Sequence, residues 1–137
     1  MKRLTLLAIL SIVILSSCEI TVYDEHPVII DERDKFLGSY QMEEFSDTYD
    51  MYSNFNIYIS KSPYDVDILF INNFYASDIE IIAIVQGDRL VLPLQEVNAY
   101  EIEGEGRYRG GEISFDYVVR DLTRHHIIND YCSAIAF

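Results

Sequence analysis

Hydrophobic and polar residues alternate along most of the chain after its first third. In residues 55–59, three apolar side chains fall on one face of an extended backbone, and Asn56 and Tyr58 fall on the other. This period of two is typical of a strand with one buried face. The same pattern gives these inward-facing candidates: Phe55, Ile57, Ile59, Val66, Ile68, Phe70, Leu90, Leu92, Ile113, Phe115 and Tyr117.

Glycines mark the boundaries and bends of these segments. Gly87-Asp88 lies between two apolar runs and predicts a tight hairpin turn, and Gly110-Gly111 predicts a second turn. Gly104 and Gly106 fall inside a strand-like segment, where glycine often marks a bulge or a sharp bend. Such bends help a small sheet to curl and close.

The predicted fold is all-β, a small antiparallel meander of about eight strands closing into a barrel or half-barrel. The first strand is predicted over residues 36–45 and the last over 131–137, with a polar loop over 120–130 before it. Residues 75–82 are the best candidate for a helix, but their β-branched side chains favour a strand. The inward candidates are bulky, so we expect side chains to fill the interior.

The first 18 residues have the anatomy of a secretory signal peptide. Lys2 and Arg3 precede a short apolar run that is too short to span a bilayer, and small residues follow it. The closing Leu15-Ser16-Ser17-Cys18 resembles a bacterial lipobox, which implies cleavage before Cys18 and a lipid on that cysteine. The chain then divides into a leader (1–17), a lipidated cysteine with a flexible acidic tether (18–35) and a β domain (36–137). The alternative is an ordinary secreted protein.

Several short motifs of the β domain together resemble one family. Gly38-Ser39-Tyr40 is similar to the start of lipocalin-like barrels, in which the aromatic ring plugs one end. Together with the lipobox, Asn72-Asn73-Phe74, Gly87-Asp88, Gly104-Glu105-Gly106 and Cys132, the chain resembles small Bacteroidota envelope lipoproteins with a lipocalin-like domain. That resemblance implies a lipocalin-like barrel and an outer-membrane lipoprotein. It leaves open whether the domain faces the periplasm or the cell surface, and it supplies no reaction.

The charge of the chain limits its partners. The formal net charge is -13, and loss of the leader with Lys2 and Arg3 makes it -15. So large a negative charge without a basic cluster argues against nucleic acid as a partner. It also argues against a polybasic membrane contact, so the predicted membrane partner is reached through the lipid on Cys18.

Neither cysteine nor histidine predicts a reactive centre. Cys132 has no partner once Cys18 is lipidated, and it is predicted to be buried in the last strand, with a reactive or dimer-forming thiol as the alternative. His125 and His126 are predicted to be solvated loop residues. The chain has no nucleophilic serine motif, phosphate loop or paired-cysteine metal motif, so we predict no catalytic residues, no metal site and no cofactor.

Tyrosine is the most informative residue type for function. The chain has 11 tyrosines and no tryptophan. Tyrosine is favoured in binding surfaces, although it also suits strands. The segment 104–108 is similar to a glycine-arginine-tyrosine loop of periplasmic inhibitors of C-type lysozyme. The predicted binding residues are Tyr52, Tyr58, Tyr100, Arg107 and Tyr108.

These features predict a non-enzymatic binding or assembly module anchored in the cell envelope. Its partner is expected to be an envelope protein or a small ligand. One alternative is an inhibitor of a lysozyme-like enzyme, whose acidic surface would attract a basic target. The other alternative is a hydrolase with an acidic cleft. Two carboxylates, or His125 and His126, lining one cleft would favour this alternative.

Overall fold

The computed structural model describes residues 30–137. The predicted leader, Cys18 and most of the predicted tether lie outside the described residues. Within residues 30–137, no helix is long and apolar enough to cross a membrane.

Eight antiparallel strands form a closed barrel in which each strand pairs with the next along the chain and the last pairs with the first. The predicted all-β meander is therefore confirmed, and it closes fully. A short 3-10 turn, η1 (Asp34–Phe36), precedes the barrel. The strands are β1 (Gly38–Ser46), β2 (Met51–Lys61), β3 (Ile68–Phe74), β4 (Ile79–Gln86), β5 (Arg89–Val97), β6 (Tyr100–Arg109), β7 (Glu112–Asp121) and β8 (Asn129–Ala136).

Large apolar side chains fill most of the barrel interior. Seven of the predicted inward residues are buried: Ile57, Ile59, Leu90, Leu92, Ile113, Phe115 and Tyr117. Phe55 is half-buried and packs against this core. The alternation thus identified the core face correctly in β2, β5 and β7.

The phase predicted for β3 is wrong. Val66 lies before the strand and is 84% exposed, while Leu69 and Ile71 point inward. Ile68 and Phe70 are only partly buried, on the opposite face. Ile68–Ile71 is apolar at every position, so a period of two cannot tell which face is buried.

Two glycines in β6 make room for aromatic rings inside the barrel. Gly104 lies opposite Tyr117 and Gly106 lies opposite Phe115 in the β6–β7 pairing. A Cβ atom on Gly104 would come within 2.5 Å of the Tyr117 Cβ atom, which is too close for any side chain. The bulge predicted for β6 lies in the neighbouring strand β5. The β5–β6 pairing shifts register between Leu92 and Gln95, whereas β6 pairs with β7 without a break.

The N-terminal segment closes one end of the barrel. Phe36 is completely buried there, with its ring 5.5 Å edge-on from that of Tyr108. Arg33 donates to the Ser62 carbonyl oxygen at 3.2 Å, and Lys35 pairs with Asp88. Residues 31–35, assigned above to the tether, therefore lie against the barrel. The ring that plugs this end is Phe36, whereas Tyr40 of the Gly38-Ser39-Tyr40 motif is only half-buried.

Candidate functional site

The structure does not bring the predicted binding residues together. Tyr52 and Tyr58 lie on the outer face of β2, and Tyr52 packs against Phe45 with ring centroids 4.6 Å apart. Tyr100 begins β6 at the open end of the barrel, which is the end opposite Phe36. Arg107 and Tyr108 lie near the other end of the same strand, within the segment likened above to an inhibitor loop.

A polar cluster occupies the barrel interior near the end opposite Phe36. Glu44 of β1 and Asp130 of β8 are 4% and 3% exposed. The Tyr117 hydroxyl donates to Glu44 Oε2, and Ser53 Oγ donates to Oε1 at 3.1 Å. Ser46 Oγ donates to Asp130 Oδ1, and the Tyr75 hydroxyl donates to Oδ2 at 2.6 Å. Four carboxylate oxygens thus each accept one hydroxyl hydrogen.

The cluster forms the floor of a cleft of about 480 Å³ at this open end. Tyr49 from the β1–β2 connection, Met51 at the start of β2 and Arg124 from the β7–β8 loop lie at its rim. The Arg124 guanidinium lies 5.9 Å from the centre of the Tyr49 ring, within reach of a cation–π contact. The volume falls in the range of small-molecule sites.

The β3–β4 turn holds one wall of the cleft in an unusual backbone conformation. Tyr75 and Ala76 have φ values of +55° and +48°, in the left-handed region that non-glycine residues seldom adopt. This conformation directs the Tyr75 hydroxyl to Asp130, and the Tyr100 ring packs edge-on against Tyr75 at 5.8 Å. Strained residues of this kind persist where surrounding contacts fix them, often at functional sites.

Two acidic side chains, Glu44 and Asp130, lie at the floor of the cleft, and one basic side chain, Arg124, lies at its rim. Among the described residues, no lysine, arginine or histidine pairs with Glu44 or Asp130, and Arg124 is engaged with Asp121 at 3.0 Å. Burial raises the pKa of the Glu44 carboxyl, and the charge of Asp130 raises it further, although the two hydroxyl donors act the other way. Burial and the neighbouring carboxylates also raise the pKa of both Tyr75 and Tyr117.

Sequence reasoning missed Glu44 and Asp130, although a signal was present. Met42, Glu44 and Ser46 share one face of β1, so the buried Met42 predicts an inward Glu44. Likewise Cys132 predicts an inward Asp130, which the prediction had placed in a polar loop. Residue type alone points the other way, since most carboxylates of a protein are exposed to solvent.

The predicted burial of Cys132 and the predicted exposure of His125 and His126 are confirmed. Cys132 is buried in β8, and burial raises the pKa of its thiol, which opposes formation of a reactive thiolate. His125 and His126 are exposed in the β7–β8 loop. In residues 30–137, no three histidine, cysteine, aspartate or glutamate side chains lie together as metal ligands would.

Comparisons with protein-family models and with curated proteins find no match for this chain. Its function is therefore inferred from the chemistry of the cleft.

The raised pKa of Glu44 predicts a pH dependence of stability. Between its ordinary value of 4.5 and its higher folded value, the folded state holds more protons than the unfolded state. The free energy of unfolding contributed by this group therefore falls as pH rises through that window. Urea unfolding from pH 4.5 to neutrality should show this fall in the wild type and a smaller one in Glu44→Gln.

Glu43 provides the matched control, since it is the next residue of β1 and points outward to solvent. Glu43→Gln should keep the wild-type pH dependence. If the free energy of unfolding fell equally with pH in Glu44→Gln and Glu43→Gln, the buried carboxyl would not titrate as described.

Proposed function

We propose that this protein is a lipid-anchored, non-enzymatic binding protein of the cell envelope that holds a small ligand in the cleft at the open end of its barrel. The cleft carries this proposal, since it combines buried carboxylates, aromatic walls and a volume suited to a small molecule. The leader and Cys18 support the anchored location.

The position of residues 31–36 supports a cleft on the side of the barrel away from the anchor. Residues 31–36 lie at the closed end of the barrel, where Arg33 and Lys35 contact the β2–β3 and β4–β5 connections. The cleft lies at the opposite end, between the β1–β2, β3–β4 and β7–β8 connections. A lipid on Cys18 would therefore be joined to the barrel at its closed end, which leaves the cleft at the opposite end free for its ligand.

A hydrolase is the second candidate, because two carboxylates do line one cleft. A raised pKa suits a general acid, and Glu44 has one. However, Glu44 and Asp130 are 4% and 3% exposed, with every oxygen already accepting a hydroxyl hydrogen. Carboxylates at such depth suit contact with a small ligand better than attack on a polymer.

One experiment tests anchor and ligand together. The full chain would be expressed in a Gram-negative bacterium and extracted from its membranes in mild detergent. Its mass would then be measured by denaturing and by native mass spectrometry. The denaturing mass should match a chain that begins at Cys18 and carries acyl groups. The native mass should exceed it by one small molecule. An unmodified chain refutes the anchor, and a bare native mass counts against the ligand.

Two tryptophan variants provide the matched comparison for ligand retention. Met51→Trp places a large ring at the rim of the cleft and should abolish the retained mass. Val66→Trp adds the same ring at an 84% exposed position near the closed end and should leave it unchanged. Retention by both variants would place the ligand elsewhere.

A further inference from the structure

The hydrogen-bond pattern of the cleft floor specifies what a ligand must offer. Ser46, Ser53, Tyr75 and Tyr117 each have one hydroxyl hydrogen, and each donates it to a carboxylate. The floor therefore presents lone pairs of Glu44 and Asp130 and has no hydroxyl hydrogen left to give. A ligand group that hydrogen-bonds to these carboxylate oxygens must therefore be a donor.

The charge of the floor leads to the same requirement independently. Two carboxylates are buried together, and within the described chain no basic side chain neutralises either of them. Burial of carboxylate charge is costly unless a cation or protons offset it. A positively charged ligand would supply that offset, whereas an anion would add a further negative charge beside the two carboxylates of the floor.

At the rim of the cleft, an aromatic ring already lies beside a cationic group of the protein itself. The Arg124 guanidinium lies over the Tyr49 ring, and its Nη1 atom is 3.4 Å from the Tyr49 hydroxyl. Tyr75, backed by Tyr100, supplies a second aromatic surface, and Met51 adds an apolar edge. Aromatic faces attract ammonium and guanidinium groups, and they also cover the hydrocarbon of a ligand.

We propose that the cleft binds a small organic cation, an ammonium or guanidinium compound with an apolar body, whose N–H groups donate to Glu44 and Asp130. This inference rests on the proposed function, because it names the ligand class of the same cleft. The cationic group lies on the floor between the two carboxylates. The apolar body extends past Tyr75 and Tyr49 towards the rim.

Three compounds of one shape and different charge test the proposal. Phenethylamine, phenethyl alcohol and phenylacetate are cationic, neutral and anionic at neutral pH. Titration calorimetry with the detergent-purified full chain should show binding of phenethylamine at least about tenfold tighter than that of either other compound. Agmatine, a guanidinium compound, should compete with it. Calcium chloride should not compete, because the floor offers two carboxylates and no third aspartate, glutamate, histidine or cysteine side chain among the described residues.

Charge-removing variants locate the binding. Asp130→Asn and Glu44→Gln should each weaken phenethylamine binding by about tenfold or more, since each leaves a cation facing fewer carboxylates. Glu112→Gln removes one exposed negative charge at the closed end and should have no effect. Near-ultraviolet circular dichroism would confirm that each variant is folded, and the three-compound series in the wild type does not depend on any variant.

The outcomes separate this inference from the proposed function. Phenethyl alcohol or phenylacetate binding as tightly as phenethylamine, and blocked by Met51→Trp, would overturn the cation inference while leaving a ligand-binding cleft. Competition by calcium would make the site a metal site instead. Absence of binding by all three compounds, together with a bare native mass, would overturn both proposals.

Discussion

Gly104→Ala should lower the free energy of unfolding by about 3 kcal/mol or more. The added Cβ atom would lie 2.5 Å from the Tyr117 Cβ atom and 2.6 Å from its Cα atom, and closer still to the Asp116 carbonyl oxygen. These atoms belong to the β7 backbone or are fixed to it, so β6 and β7 would have to separate. In a small domain such a loss is a large part of the total stability.

Gly106→Ala is the matched control for this prediction. A Cβ atom there would meet the Phe115 ring, with Cε1 at 2.8 Å and Cδ1 at 2.9 Å. A ring edge can rotate away, so the expected loss is about 1 kcal/mol. Urea unfolding of both variants measures the difference. A Gly104→Ala variant as stable as Gly106→Ala would mean that the β6–β7 pair gives way more easily than its register indicates.

Gly104 also links the fold to the cleft. By leaving space beside Tyr117, it allows that ring to cross the interior, and the Tyr117 hydroxyl then reaches Glu44. The sequence predicted that Gly104 and Gly106 serve the curvature of the sheet. Their observed role is to lie opposite large rings, which cannot be read from the glycines alone because it depends on the pairing with β7.

The fold was predictable because alternation and turn residues are local signals. Phe55–Ile59 and Gly87-Asp88 each specify their own conformation, and short connections then favour pairing of neighbouring strands. The phase of β3 was not predictable in this way. Its residues 68–71 are apolar on both faces, so only the assembled barrel decides which face is buried.

The cleft was harder to predict because its contacts join distant residues. Glu44 meets Tyr117 across 73 positions of sequence, and Ser46 meets Asp130 across 84. Local alternation predicts that Glu44 and Asp130 point inward, but it cannot show which hydroxyl groups donate to them. The five predicted binding residues, chosen from tyrosine content and from the segment 104–108, are dispersed over the barrel, since neither signal carries information on proximity.

Phe36→Ala should lower the free energy of unfolding by about 3 to 5 kcal/mol. The Phe36 ring has no exposed surface and packs edge-on against Tyr108, so its loss leaves a cavity at the closed end. Chemical denaturation measures the effect. Leu37→Ala, at the next position and 36% exposed, should cost less than about 1 kcal/mol and serves as the control.

Tyr40→Ala distinguishes the observed plug from the one that the lipocalin-like motif implies. Tyr40 faces the interior but is only half-buried, so its removal opens a smaller cavity and should cost about 1 to 2 kcal/mol. A larger loss for Tyr40→Ala than for Phe36→Ala would restore the motif's ring as the plug. If Phe36→Ala costs more stability than Tyr40→Ala, as expected, the segment just before β1 closes the barrel. The chain leads from that segment back to the proposed anchor.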